Sequence, residues 1–385
     1  MASSTSPESS SMPPGAAASC SSSDAELTMP NLAALQEDIH RMENPNFAAQ
    51  KQTVRDLFDR GVPFFTRSAM EQLKDQIDNI KSMVKNGEST DGQKFVFLSI
   101  TGQTVERAVL KGLTQSRQLG NETVLLEPCL MYATYQALVN HKYSDQALCP
   151  LQICYGGHNE QDHLSSFEDT RRAFDASVRA WQASEDCASL KSSTAATPLP
   201  GITKIIAFAC SSISRDVEHS RSRSATQHAL MLTLRDILQA SQRGAEIKCL
   251  AQDPVYTEID KAILSEAGIT VIDDPEGFLE VDDQSVVLSF SPNIPVRQIT
   301  TDLARPVMLA WDTVLTEEQT ISRWATAHEP PKTGASAEEL EACLCDPESS
   351  RVRAMIEEEY FQVQKLDKKG FGDASIYMRN DARGR

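Results

Sequence analysis

A set of polar side chains in the second half of the chain has the types and spacing to do chemistry. Ser211, Ser212 and Ser214 follow an apolar run at residues 204–210. His228 falls within the first turn of a helical pattern that begins at Ser224. Asp253 and Tyr256 flank the Asp-Pro turn that ends a second apolar run at 246–251, and Asn293 and Asp312 close two later runs. Hydroxyls and backbone N–H groups between a strand and a helix form a natural anion cradle. An acidic residue at the end of the second strand is placed to bind ribose hydroxyls. A histidine beside such a loop can serve as a base. If the strands are parallel, Asn293 and Asp312 share the rim with Asp253, and Tyr256 can close over it. Each residue also has a structural reading. Serines turn and cap loops, Asp253 with Pro254 makes a turn ahead of the next helix, and a histidine on an apolar helix is a packed core residue. Asn293 and Asp312 are residues of helix N-termini.

Several reactions are disfavoured by what is missing. No G-x-G-x-x-G run is present, and Ala209 and Ser211 stand where a phosphate-binding loop uses glycine to let the backbone approach. No G-x-S-x-G elbow surrounds the serines, which argues against a hydrolase nucleophile. The nine cysteines are scattered, with no C-x-x-C pair, so free thiols are expected rather than a disulfide framework or a zinc site. Cys149-Pro150 is a dipeptide type of haem-responsive proteins, but it is short and common. No catalytic residue, metal ligand or cofactor is assigned.

The elements that must position the set alternate. Strands are expected at 204–210, 246–251, 269–272, 285–290 and 306–311. A helix should start at the capping box Ser224–Gln227, a second at the Thr257 cap, and a short third should span 295–303. Helices between strands that are apolar on both faces imply parallel pairing. The fold class expected is α/β: a Rossmann-like, doubly wound, mostly parallel sheet with an N-terminal helical extension. In that architecture ligands sit at the carboxyl ends of the strands. Upstream, residues 1–30 read as a disordered Ser-rich tail and 31–93 as the helical extension, with helices over 31–46, 52–60 and 67–85, the last capped by Thr66. The α/β domain is placed at 94–328, with its core at 201–324. Its first part reads as a strand at 94–100, a helix at 104–118, a helix at 130–140, an edge strand at 148–155, a helix at 167–187 and a linker at 189–200. Beyond 328 a broken helix at 340–366 and a disordered tail at 367–385 are expected.

The runs AFACSSIS, TQHALMLTLRDIL, QDPVYTEIDKAIL, GITVIDDPEGFLEVDD, VVLSFSPNIPVRQI and RPVMLAWD stand in one order. As a set they resemble the SRR-like domain family (sensitivity to red light reduced), most closely its fungal branch. The resemblance implies a Rossmann-like α/β domain, a place in cytoplasm and nucleus, and regulatory roles. It carries over no catalytic residues. The leading expectation is therefore a non-catalytic regulatory or interaction protein with a small-ligand crevice at the strand ends. The alternative is a transferase-like enzyme whose nucleotide-type cofactor binds near Asp253, with His228 as base.

The net charge of −17 is uneven. Between Glu246 and Phe290, eleven acidic residues meet only Lys248 and Lys261. Such a surface repels a phosphate backbone, so direct nucleic-acid binding is not expected. No apolar run approaches the roughly 20 residues of a membrane span, and no secretory signal is evident at the start of the chain. The partners expected are a protein or a small molecule.

Overall fold

A computed structural model describes residues 47–110, 117–119, 122–140, 148–158, 164–195, 201–215, 218–327, 336–342 and 344–383. The expected tail at 1–30 and helix at 31–46 lie outside these residues. Two helices open the described chain, α1 (Phe47–Asp59) and α2 (Arg67–Lys85). Thr66 caps α2 as its sequence predicts, its hydroxyl accepting from the Ala69 N–H at 3.3 Å, and the helix buries Met70, Leu73, Ile77 and Ile80.

The next segment departs from expectation. Strand β1 (Lys94–Leu98) pairs antiparallel with β2 (Thr104–Ala108), where a helix was expected over 104–118. The cause is local. Gly102 takes φ +80°, and the Ser99 and Gln103 backbones close a tight turn, which returns the chain onto β1 before a helix can start. Strands β3 (Arg117–Leu119), β4 (Glu122–Tyr132) and β5 (Leu151–His158) form a separate antiparallel sheet. The helix expected at 130–140 is thereby shortened to α3 (Tyr135–Asn140). The helix expected at 167–187 is two, α4 (Phe167–Gln182) and α5 (Glu185–Ala195), because the Ser184 hydroxyl accepts from the Cys187 N–H and restarts the chain. Helix α5 takes up most of the expected linker.

The main sheet follows: β6 (Lys204–Phe208), α6 (Glu218–Ser241), β7 (Lys248–Gln252), α7 (Glu258–Glu266), β8 (Thr270–Val271), α8 (Glu276–Glu280), β9 (Ser285–Ser289), α9 (Val296–Leu303), β10 (Met308–Asp312) and α10 (Glu317–Ala327). Helix α6 starts upstream of Ser224, so the capping box expected there does not form. The Ser224 hydroxyl donates to the Ser211 carbonyl at 2.7 Å instead. Beyond α10 come α11 (Ala337–Glu341), α12 (Ser350–Glu359), β11 (Tyr360–Lys365), α13 (Lys368–Phe371) and β12 (Ala374–Arg379). The segment expected as a broken helix and disordered tail thus supplies two strands. β12 pairs antiparallel with β10 along its length, and residues 374–378 are buried.

The order across the seven-stranded sheet is β11-β12-β10-β9-β6-β7-β8, and β10-β9-β6-β7-β8 are parallel. Successive side chains alternate between two cores. Ile205, Ala207, Val286, Leu288, Met308 and Ala310 pack under α4, α5, α6 and α7. Ile206, Phe208, Val287, Leu309 and Trp311 pack under α1, α2, α3, α8, α9 and α12. Helices on both faces explain why the strands read as continuous apolar runs. Each fully buried Val, Leu, Ile or Phe contributes about 1.5–3 kcal/mol relative to exposure.

Candidate functional site

In this sheet the strand order reverses between β6 and β9, and their carboxyl ends are where such a sheet would hold a ligand. The backbone there is unusual. Ala209 (φ +55°), Ser211 (φ +62°) and Ser291 (φ +53°) all occupy the left-handed region without being glycine. That conformation costs an L-residue roughly 1–2 kcal/mol. Ala209 and Ser211 are the two positions where the sequence shows no glycine although the loop geometry favours one.

The candidate side chains fall into two groups. Around β6 and β7, the Ser211 N–H donates to Asp253 Oδ2 at 2.8 Å, and the Val255 N–H donates to Asp253 Oδ1 at 3.1 Å. Burial raises the Asp253 carboxyl above its ordinary range, and these two donors pull it back. The Ser212 and Ser214 hydroxyls lie 3.1 Å apart, and Ser214 is 2.7 Å from the Thr257 hydroxyl. His228 is fully buried. Its Nδ1 lies 2.7 Å from the Ser224 carbonyl and its Nε2 2.8 Å from the Tyr256 hydroxyl. A carbonyl only accepts, so Nδ1 carries the proton and Nε2 accepts from Tyr256. Burial pushes His228 down to about 4, and it pushes Tyr256 well above its ordinary value. Around β9 and β10, Asn293 is exposed, and Asp312 accepts from the Ser291 N–H at 3.3 Å. Burial raises Asp312, and the Arg297 guanidinium opposes the rise.

The residue that organises the first group is Asp260. It caps α7 in a capping box with Thr257 and is fully buried. Its Oδ1 accepts from the Ile213 and Ser214 N–H groups at 3.0 and 2.8 Å, and its Oδ2 from the Thr257 N–H at 2.7 Å. The spacing Thr257-x-x-Asp260 was the available signal; that the same carboxylate also holds the loop after β6 was not visible in it.

The C-terminal turn closes the other side. Gly372 sits between Arg223 and Ser291, Gly370 lies against Thr226, and the buried Phe371 ring packs on Phe290 and Trp181 at centroid distances of 5.1 and 5.3 Å. A segment expected as tail therefore lines the space between β9 and α6. Arg223 is exposed at its edge.

Two further polar clusters carry shifted groups. Asp274 accepts from Tyr132 Oη at 2.6 Å and Gln252 Nε2 at 2.9 Å, and burial raises it to about 6. Arg297, at the start of α9, is buried with Asp346 at 3.1 Å and Glu348 at 3.0 Å. Burial raises Asp346 and Glu341 to about 7 each, with Arg297 and Arg353 respectively opposing the rise. An open groove of about 790 Å³ borders Phe58, Pro63, Asp283, Arg305, Arg351 and Glu359. Asp283 and Arg305 precede β9 and β10, so this groove lies at the amino ends of the strands, away from every candidate residue. Among the described residues no group of three or more His, Cys, Asp or Glu side chains is placed to hold a metal ion, and no helix is long and apolar enough to cross a membrane.

Fold and site together define an α/β domain with a mixed seven-stranded sheet and an internally hydrogen-bonded strand-end loop. Residues 187–378 match the family model of the SRR1 domain, and the chain is an SRR-like domain protein. The match begins in α5 and ends in β12, so it includes the C-terminal strand pair. A comparison with curated proteins finds no match.

Proposed function

We propose that this protein is a non-catalytic regulatory or interaction protein. In this reading its core is Rossmann-like and doubly wound, and it keeps the strand-end crevice as a small-ligand or partner-sensing feature. It acts in the cytoplasm and nucleus. One observation carries the proposal: the polar side chains with the best chemistry are already committed. Asp253 accepts two backbone N–H groups, the Ser212 and Ser214 hydroxyls bond to each other and Ser214 also to Thr257, and the His228 lone pair is taken by Tyr256. A general base must have a lone pair within reach of substrate, and His228 has none free. The rim left to a ligand is Arg223, Ser291 and Asn293.

Native mass spectrometry of the purified full chain, alone and with ATP, NAD or S-adenosylmethionine, tests this. A bare mass throughout, with no turnover of these compounds, is expected. Turnover of one of these compounds, lost in Arg223→Ala, an exposed substitution, would overturn the proposal in favour of a working cofactor site, whereas a compound retained without turnover fits a small-ligand feature.

A further inference from the structure

The antiparallel ladder of β4 and β5 sets Cys129 directly opposite Cys154. Residues facing each other in such a ladder have Cα atoms about 4.5–5.5 Å apart, within the roughly 4.4–6.8 Å that a disulfide spans. The two Sγ atoms lie 3.2 Å apart. Both cysteines are partly exposed, on the face opposite the buried Leu130, Tyr132, Leu151 and Ile153. Gly156 makes room for the pair, since a Cβ there would stand 3.2 Å from the Cys129 sulfur. Cys149, Cys187, Cys210 and Cys249 are buried, and Cys345 is exposed.

We propose that Cys129 and Cys154 form a reversible two-electron redox site, closed to a disulfide by a hydroperoxide. The roles of the two thiols differ. The hydrogen bond from Cys129 lowers Cys154 to about 7, with Arg107 helping and Asp274 opposing, while the same bond raises Cys129. Either thiol can donate across the 3.2 Å contact; we take Cys154, whose thiolate the contact favours, as the attacking sulfur and Cys129 as the S–H donor. The Cys154 thiolate attacks a peroxide oxygen, the O–O bond breaks, and a sulfenic acid and hydroxide (alkoxide from an alkyl hydroperoxide) form, the leaving group taking back from solvent the proton that Cys154 had released. The Cys129 sulfur then attacks the sulfenic sulfur, the S–S bond forms and the S–O bond breaks, and the departing hydroxide takes up the Cys129 proton and leaves as water. Two thiols are oxidised and one peroxide is reduced.

The full chain is exposed to hydrogen peroxide, quenched with an alkylating agent and digested, with the sulfenic acid trap dimedone in a parallel sample. A linked Cys129–Cys154 peptide lacking two hydrogens, restored by dithiothreitol, is expected in the wild type. In Cys129→Ser the trap should mark Cys154. Three results would overturn the proposal: irreversible oxidation of Cys154 with no bridge, a bridge from either residue to Cys345, or first labelling at Cys129. The wild-type result stands by itself should the variant fail to fold.

Discussion

Asp260 accepts from three backbone N–H groups of two loops, and removing it takes away the acceptor of the Ile213 and Thr257 N–H groups, while the Ser214 N–H keeps the Ser212 hydroxyl at 3.1 Å. An unsatisfied buried group costs about 1–3 kcal/mol. Asp260→Ala should therefore lower unfolding stability by about 3 kcal/mol, measured by urea titration, and Thr257→Ala, which loses its cap on the Asp260 N–H and its contact with the Ser214 hydroxyl, by about 1–2 kcal/mol. His228 gives a pH dependence of definite sign. Its folded value of about 4 lies below the unfolded value near 6.5, so the unfolded chain binds the proton first as pH falls. The stability tied to His228 is complete above pH 6.5 and is lost between 6.5 and 4, by about 3 kcal/mol in all. Asp274, raised to about 6 by burial, acts in the opposite sense over nearby pH. The quantity to measure is therefore the difference between the wild-type and His228→Gln urea midpoints across pH 4–7. It should narrow as pH falls, and a constant difference would contradict a buried neutral imidazole.

At the scale of elements, the C-terminal strand pair changes most from what the sequence suggests. β12 pairs with β10, and Phe371 fills the space beside Phe290 and Trp181. Phe371→Ala should cost about 3–5 kcal/mol. Ending the chain at Leu366 should abolish cooperative thermal unfolding and near-ultraviolet circular dichroism, because β10 is left as an edge and its apolar neighbours exposed. A truncated chain that melts cooperatively near the wild-type temperature would remove β12 from the folding unit. The strands β6, β7, β9 and β10 were legible because each is an apolar run bounded by turn residues and buried on both faces. The segment at 360–379 was not. Its exposed Gln362 and Lys365 bracket the half-buried Val363 and Gln364 on a sheet edge, and a chain end with scattered charge reads as tail when its pairing partner is far away in sequence.

Across the whole molecule, the buried ion network is a long-range tie. Arg297 of α9 holds Asp346 and Glu348, Arg353 of α12 pairs with Glu341 of α11, and Gln136 of α3 donates to the Glu348 carbonyl at 2.7 Å. Removing one partner of a buried pair leaves an uncompensated charge and costs about 3–5 kcal/mol. Arg297→Met should show a loss of that size in thermal or urea unfolding. A triple variant that also carries Asp346→Leu and Glu348→Leu should recover part of it, and an equal loss in both would mean that packing rather than charge governs the site. Residues 187–378 carry the family match, yet α1, α2 and α3 cover one face of its sheet. Separating the matched segment from residues 47–186 would therefore uncover part of the Phe208 and Trp311 face, leaving α8, α9 and α12 on the rest.

The amino-acid sequence by itself determined the alternation of apolar strands and amphipathic helices, the Thr66 and Thr257 caps, and the family to which residues 187–378 belong. These are set by local periodicity, turn chemistry and motif order, all of which act over a few residues. Only the tertiary structure decided what the polar residues do. Asp253 meets Ser211, Asp260 meets Ser214, and His228 meets Tyr256 across separations of more than twenty residues. A side chain with the right chemistry becomes a site or a strut according to which donors the folded chain places against it. The same holds for Cys129 and Cys154, ordinary scattered thiols until the β4–β5 register sets them face to face.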